Sequence, residues 1–179
     1  MIAFVPLLLA AALTPMNPGF HQQLKCTPQG YVTIDVTAAD PNVEPHAVIV
    51  TTTFAAGPSR TKTQAIRAQD SQGDIFQVGY VLQAGVVKRF QRRLLLPAAP
   101  PTAGERSSYF HVTGVVIDKH FEGAQPARDA QGRPATGYLF SDYVSGHKLN
   151  ATVYVPGTGV TSVRFFNMPT PTGQLDCHL

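Results

Sequence analysis

Tyr31-Val-Thr-Ile-Asp-Val-Thr37 alternates without a break. In an extended chain Val32, Ile34 and Val36 fall on one side, and Thr33, Asp35 and Thr37 on the other. That is the period-two pattern of a strand with one buried face. A helix would spread the same apolar residues round its circumference.

The same pattern can be followed along the chain. Ala39-Asp-Pro-Asn42 is a turn signal, residues 46–54 are a β-branched second strand, and Ala56-Gly-Pro-Ser59 breaks it. Residues 62–68 form a weaker strand with Lys62, Gln64 and Arg67 exposed. After the Asp70-Ser-Gln-Gly73 turn, residues 74–83 alternate again, with Phe76, Val78, Tyr80 and Leu82 on one face. Ala84-Gly85 has hairpin character, residues 86–96 are the longest strand candidate, and residues 97–104 are a proline-rich loop. Residues 109–117 read as a strand. Residues 119–134 read as a polar, structureless loop, the kind of segment that often carries function. A short strand at 138–140 follows. In the next, residues 147–155, Leu149, Ala151, Val153 and Val155 point inward. Pro156-Gly-Thr-Gly159 turns the chain into a last long strand at 160–166. Residues 14–30 read as an irregular lead-in, and residues 167–174 as a Pro- and Gly-rich tail before the terminal cysteine.

This adds up to eight or nine short strands with closely spaced turns, which predicts a single all-β domain over residues 26–179. The expected architecture is one β-sandwich, immunoglobulin-like or jelly-roll-like. The chain lacks Trp and has cysteines only near its ends, so any immunoglobulin likeness is architectural. Charged residues are 14% of the chain, while Gly and Pro number 15 each, which excludes a helical bundle and suits strands joined by turns. With 44% hydrophobic residues the chain is also too apolar for disorder. The pattern shows no internal repeat and no domain boundary.

From Ile2 to Leu13 every residue is apolar, and the first charge is Lys25. The run is too short to span a bilayer, has the length of a signal-peptide core and ends in a small-x-small site at Ala10-Ala11-Ala12. Residues 1–12 are therefore expected to be a signal peptide, although no Lys or Arg precedes the core. Leu24-Lys25 before Cys26 does not suit a lipoprotein site. No transmembrane segment is expected once the leader is removed, and the mature protein should be secreted, periplasmic or on the cell surface. In such an oxidising compartment Cys26 and Cys177 are most simply one disulfide, stapling the two ends of the domain.

Motifs that carry chemistry are sparse. The six histidines fall in no HxH, HExxH or HxxxH pattern, so no metal site is expected. His111, Asp118 and His120, with Ser107 or Ser108, sketch a hydrolase constellation, but no Gly-x-Ser-x-Gly elbow supports it. No Gly-rich phosphate loop is complete, and no cofactor is expected.

Lys88-Arg89 and Arg92-Arg93 make the one dense cluster of charge. It reads either as a patch for acidic glycans, lipid head groups or a partner surface, or as an edge strand protected by charge against unwanted pairing. The net charge of +3 is too mild and scattered to predict a nucleic-acid partner. Asn150-Ala-Thr152 is a glycosylation sequon, with Asn150 expected to point outward, and it matters only in a eukaryotic host.

The leading functional expectation is an exported, non-enzymatic structural or binding module that meets protein partners or copies of itself through its sheet faces, its edges or the 119–135 segment. Two alternatives rank below it. One is a small secreted hydrolase or metal-dependent enzyme using His111, Asp118 and His120. The other is a carrier holding an apolar ligand between its sheets.

Overall fold

The computed structural model describes residues 16–42, 44–83, 86–97, 101–110 and 115–179. Among them run twelve strands: β1 (His21–Thr27), β2 (Tyr31–Ala38), β3 (Val48–Ala56), β4 (Ser59–Gln69), β5 (Ile75–Gln83), β6 (Val86–Leu96), β7 (Arg106–Phe110), β8 (Val116–Arg128), β9 (Pro134–Val144), β10 (His147–Val155), β11 (Gly159–Phe166) and β12 (Gln174–His178). The alternating stretch Tyr31–Thr37 lies in β2. Its Val32 and Val36 are buried and Ile34 is half-buried beside them.

All twelve strands form one sheet in the order β6-β5-β4-β3-β2-β1-β12-β11-β10-β9-β8-β7. Each half of the chain is a six-stranded antiparallel meander. The halves meet in the antiparallel β1–β12 ladder, where Lys25 pairs with His178, Cys26 with Cys177 and Thr27 with Asp176. β6 and β7, the two ends of the sheet, lie close to each other, and among the described residues no hydrogen-bonded ladder joins them. The sheet is thus curled into a nearly closed barrel.

A round barrel of twelve strands would leave a lumen, because about eight already enclose just enough room for side chains. Here the walls meet across it. Phe54 on β3 and Phe165 on β11 lie 5.0 Å apart, centroid to centroid. The Arg67 charge on β4 acts on the Tyr154 phenol of β10, and these strands are six steps apart in the sheet. Leu24, Val32, Val163, Leu175 and both cysteines fill the centre. Met16 and Phe20, ahead of β1, pack on Val36, Val48, Val50, Ile75 and Leu95. The outer face carries cross-strand polar pairs such as His21–Asp35 and Arg164–Asp176.

Several expectations are corrected. The two-layer sandwich of eight or nine strands is replaced by one curled sheet of twelve. The irregular lead-in contains β1, whose residues alternate between exposed and buried. The sequence hides this alternation because an inward position holds a glutamine. Gln22 Nε2 donates to the Thr158 carbonyl at 3.1 Å and its Oε1 accepts from Val160 N at 3.1 Å, so the amide is satisfied inside.

The strand expected over 109–117 is divided between β7 and β8, which pair antiparallel from Arg106↔His120 to Phe110↔Val116. Nothing of the loop expected over 119–134 remains except a tight turn, since 120–128 and 134–138 are paired strand. Pro126 fits because β7 covers β8 only over residues 116–120. Beyond Phe121 the described residues place β9 on one side of β8 and no strand on the other. A proline without a donor is tolerated on such an edge. Leu149, expected inward, is 37% exposed, because the register slips between Lys148 and Asn150 and the alternation changes phase there. The hairpin expected at Ala84-Gly85 lies outside the described residues, although Gln83 and Val86 flanking it are paired.

The structure also reveals a repeat. In the β4–β5 connection Asp70 Oδ1 accepts from Gln72 N at 3.0 Å and from Asp74 N at 2.9 Å. In the β8–β9 connection Asp129 Oδ1 accepts from Gln131 N and from Arg133 N, both at 2.9 Å. Gly73 N donates to Asp70 O and Gly132 N to Asp129 O. Gln69 and Arg128, one residue before each aspartate, both donate a side-chain bond to the glycine carbonyl. The sequences align as Asp70-Ser-Gln-Gly and Asp129-Ala-Gln-Gly, followed by Gly79-Tyr-Val-Leu and Gly137-Tyr-Leu-Phe with one residue fewer between them. Two hairpins of this chain are copies of one design.

Candidate functional site

The β1–β12 ladder holds the disulfide between Cys26 and Cys177. Both residues are buried, with Cys177 fully so. Cys26 N donates to the Gly30 carbonyl on the β2 side, so the two cysteines face each other as a non-hydrogen-bonded pair, the closer kind in an antiparallel ladder. Such a bond persists in oxidising compartments and is rare in the reducing cytosol. No helix among the described residues is long and apolar enough to cross a membrane.

The densest polar cluster lies on the outer face of β8, β9 and β10. Tyr143 donates to Glu122 Oε1 at 3.3 Å, and Lys148 Nζ stands 3.6 Å from the same oxygen. The lysine also lies 5.7 Å from the Tyr143 ring centroid and 5.6 Å from that of Phe166, near enough for cation–π attraction. His120 stacks on Tyr143 with centroids 4.4 Å apart. Ser141, paired with His120, is fully buried. Its hydroxyl is the largest influence holding the Glu122 carboxyl below its ordinary pKa, although its geometry falls short of an ordinary hydrogen bond. Partial burial opposes this, and Lys148 and Tyr143 add to the lowering. Glu122 is therefore a fixed anion at neutral pH, the wrong poise for a general acid.

A second polar row faces inward. Lys119 Nζ lies 2.9 Å from Asp142 Oδ1, with both side chains nearly buried. Asn150 Nδ2 donates to Asp142 Oδ2 at 3.2 Å, and Thr152 donates to Asn150 Oδ1 at 3.3 Å. The pair sits against the Phe121, Tyr138, Phe140 and Tyr154 cluster, with Lys119 Nζ 5.4 Å from the Phe140 ring centroid. Beside it a pocket of about 40 Å³ is lined by Leu94, Leu95, Glu105, Arg106, Lys119 and Phe140. That is room for a few waters, against the several hundred Å³ of a typical small-molecule site.

The residues singled out from sequence are scattered over this frame. Asp118 and His120 share a face of β8, where register sets Asp118 opposite Ser108 and Tyr143, and His120 opposite Arg106 and Ser141. His111 lies outside the described residues. Lys88, Arg89, Arg92 and Arg93 fall on β6, which is an edge strand. Its register with β5 slips between Gly79 and Tyr80, leaving Phe90 without a partner and breaking the simple alternation from 88 to 93. Asn150 does not point outward. The nitrogen that a glycan would take is bonded to Asp142 in the half-buried inner row. Among the described residues no three His, Cys, Asp or Glu side chains gather as a metal site. The Glu122–Ser141–Tyr143–Lys148 cluster escaped sequence reading because it is assembled by three strands, one of which looked like a loop.

No protein-family model, curated protein or solved structure matches the chain.

Proposed function

We propose that the protein is an exported, non-enzymatic structural or binding module that works at the cell surface, in the periplasm or outside the cell through contacts with other polypeptides. One observation carries the reading: the sheet is continuous through twelve strands and, among the described residues, no ladder joins its end strands β6 and β7. An unpaired strand edge is a natural docking element for another chain. The rest of the frame favours a scaffold. Among the described residues, buried side chains pack the interior, the pocket beside Lys119 suits water better than an apolar cargo, and the Glu122 and Lys119 clusters are internally paired. The disulfide supports the exported location.

Native mass spectrometry of the protein isolated gently from its own source tests this. The expected result is a defined complex containing a second polypeptide or further copies. A strictly monomeric protein with no retained partner overturns the proposal. A retained small molecule would move the assignment to a carrier.

A further inference from the structure

We propose that β6 is a docking strand for an acidic, extended segment of a partner polypeptide, which adds to the sheet along residues 86–91. The inference rests on the binding-module reading above and gives it a place and a partner chemistry.

Backbone placement is the first support. β6 has eleven residues and, among the described residues, pairs only with β5, while β7 has five. Leu94 and Leu95 share a pocket wall with Glu105 and Arg106, so β7 begins beside the Leu96 end of β6. A five-residue strand starting there cannot flank all eleven residues of β6, and no described strand pairs with residues 86–91 on that side. On that stretch, apart from the slip at Phe90, alternate residues turn their N–H and C=O away from β5, toward an edge that no described strand fills. The strand is also well seated, because Leu95 is buried in the core and Leu96 packs on the aromatic cluster across the opening.

Charge gives the second support. Between Val86 and Leu96 there are four cations, Lys88, Arg89, Arg92 and Arg93, and no acid. Edge-to-edge pairing with a second copy would bring eight like charges together, which disfavours homotypic strand pairing. The same charges favour a partner strand rich in Asp or Glu and speed its encounter. Protection against self-pairing and selection of an acidic partner are two results of one device. A glycan or lipid head group could answer the charge, but neither can satisfy a row of alternating backbone donors and acceptors, so a polypeptide strand fits better.

The test uses the oxidised mature protein and a capped synthetic peptide of about ten alternating Glu and Val residues. A second peptide of the same sequence carries N-methyl groups on alternate amides, which keeps its charge and blocks strand pairing. Expected are slowed hydrogen exchange at amides within residues 86–91 and about tenfold weaker binding by the methylated peptide. Lys88→Glu with Arg92→Glu should weaken binding by a similar factor, and raising the salt should weaken it as well. If the double variant misfolds, the peptide comparison and the salt series on the unaltered protein decide the matter.

Equal binding of both peptides, no protection in β6, or capture of a sulfated polysaccharide or phosphatidylserine vesicle in preference to the peptide overturns strand addition. Complexes from the natural source that persist in the charge-reversed variant would remove the β6 assignment and leave the module reading intact. Absence of any complex from the unaltered protein would remove the module reading itself.

Discussion

Cys26 and Cys177 lie directly opposite each other in the ladder that joins the two six-stranded halves of the sheet. The bond therefore does more than tether chain ends. It locks the seam on which the curled sheet depends, facing the opening between β6 and β7. The cysteines are 151 residues apart, and chain entropy alone gives about 5 kcal/mol for a loop of that size. Reduction, or Cys26→Ala with Cys177→Ala, should lower the melting temperature by about 10 °C or more. Differential scanning calorimetry measures this, and an unchanged melting point would mean that the ladder holds without its clamp.

The twin turns make a paired prediction. Asp70→Ala and Asp129→Ala each remove the acceptor for two backbone donors in the same arrangement. The two variants should lose similar, small amounts of stability, and the double variant should lose their sum, because the turns share no hydrogen-bond partner. Exchange of the Gln72 and Asp74 amides should quicken in the first variant alone, and of the Gln131 and Arg133 amides in the second alone. Markedly unequal losses would show that the likeness of the two hairpins stops at geometry.

How far the sequence could be read follows from which strands carry a clean pattern. β2, β6, β10 and β11 were legible because β-branched residues alternate or cluster between clear turns. β1 and β8 were not. In β1 a glutamine occupies an inward position and is satisfied by the 158–160 turn, more than a hundred residues away. In β8 the run Glu122-Gly-Ala-Gln-Pro-Ala-Arg128 has loop composition and is held as a strand by β9. Long-range pairing overrode local propensity in both. Closure of the sheet was beyond reach for a related reason, since the β1–β12 ladder joins the two most distant strands of the chain. The outer cluster could be read only after β8 was known, because His120 and Glu122 share a face only on an extended chain.

Gly137 tests how tightly that hairpin is packed. A Cβ placed there would stand 2.6 Å from Val153 Cγ1 and 2.8 Å from Ala127 Cβ, both closer than real side chains approach. Gly137→Ala should cost about 1–3 kcal/mol by overpacking. Adding Val153→Ala should recover part of that loss, because it removes the nearer obstacle. Chemical denaturation of the single and double variants measures both effects. A neutral Gly137→Ala would show that β8 and β9 can move apart freely.

Tyr154 supplies an alkaline marker of the interior. Burial raises its phenol pKa, with Tyr138 adding to the rise and Arg67 opposing it. A raised folded-state pKa stabilises the fold below the unfolded value near 10, and this contribution is lost as pH rises through the folded value. In a phenolate absorbance titration at least one of the six tyrosines should ionise late, and that phase should be absent in Tyr154→Phe. If Tyr154→Phe leaves the profile unchanged, the wall between β4 and β10 is wetter than described.

Glu122 decides whether the outer cluster is scaffold or chemistry. Its carboxyl pKa is held below the ordinary carboxylate value, first by Ser141 and then by Lys148 and Tyr143, against the cost of burial. A depressed folded-state pKa contributes stability above the unfolded value, and the contribution is lost as pH falls through the folded value. Ser141→Ala should therefore raise the Glu122 pKa and shift the acid limb of the stability curve to higher pH. Lys148→Met should do the same with a smaller shift, and Glu122→Gln should remove this part of the pH dependence. A carboxyl-carbon NMR titration reads the group directly. A value above the ordinary carboxylate range in the unaltered protein would contradict the ion-pair reading, because a carboxylic acid that keeps its proton near neutral pH is poised for acid–base work. A low value that rises on loss of the serine would make the cluster a brace between β8, β9 and β10, carrying charge to hold strands together.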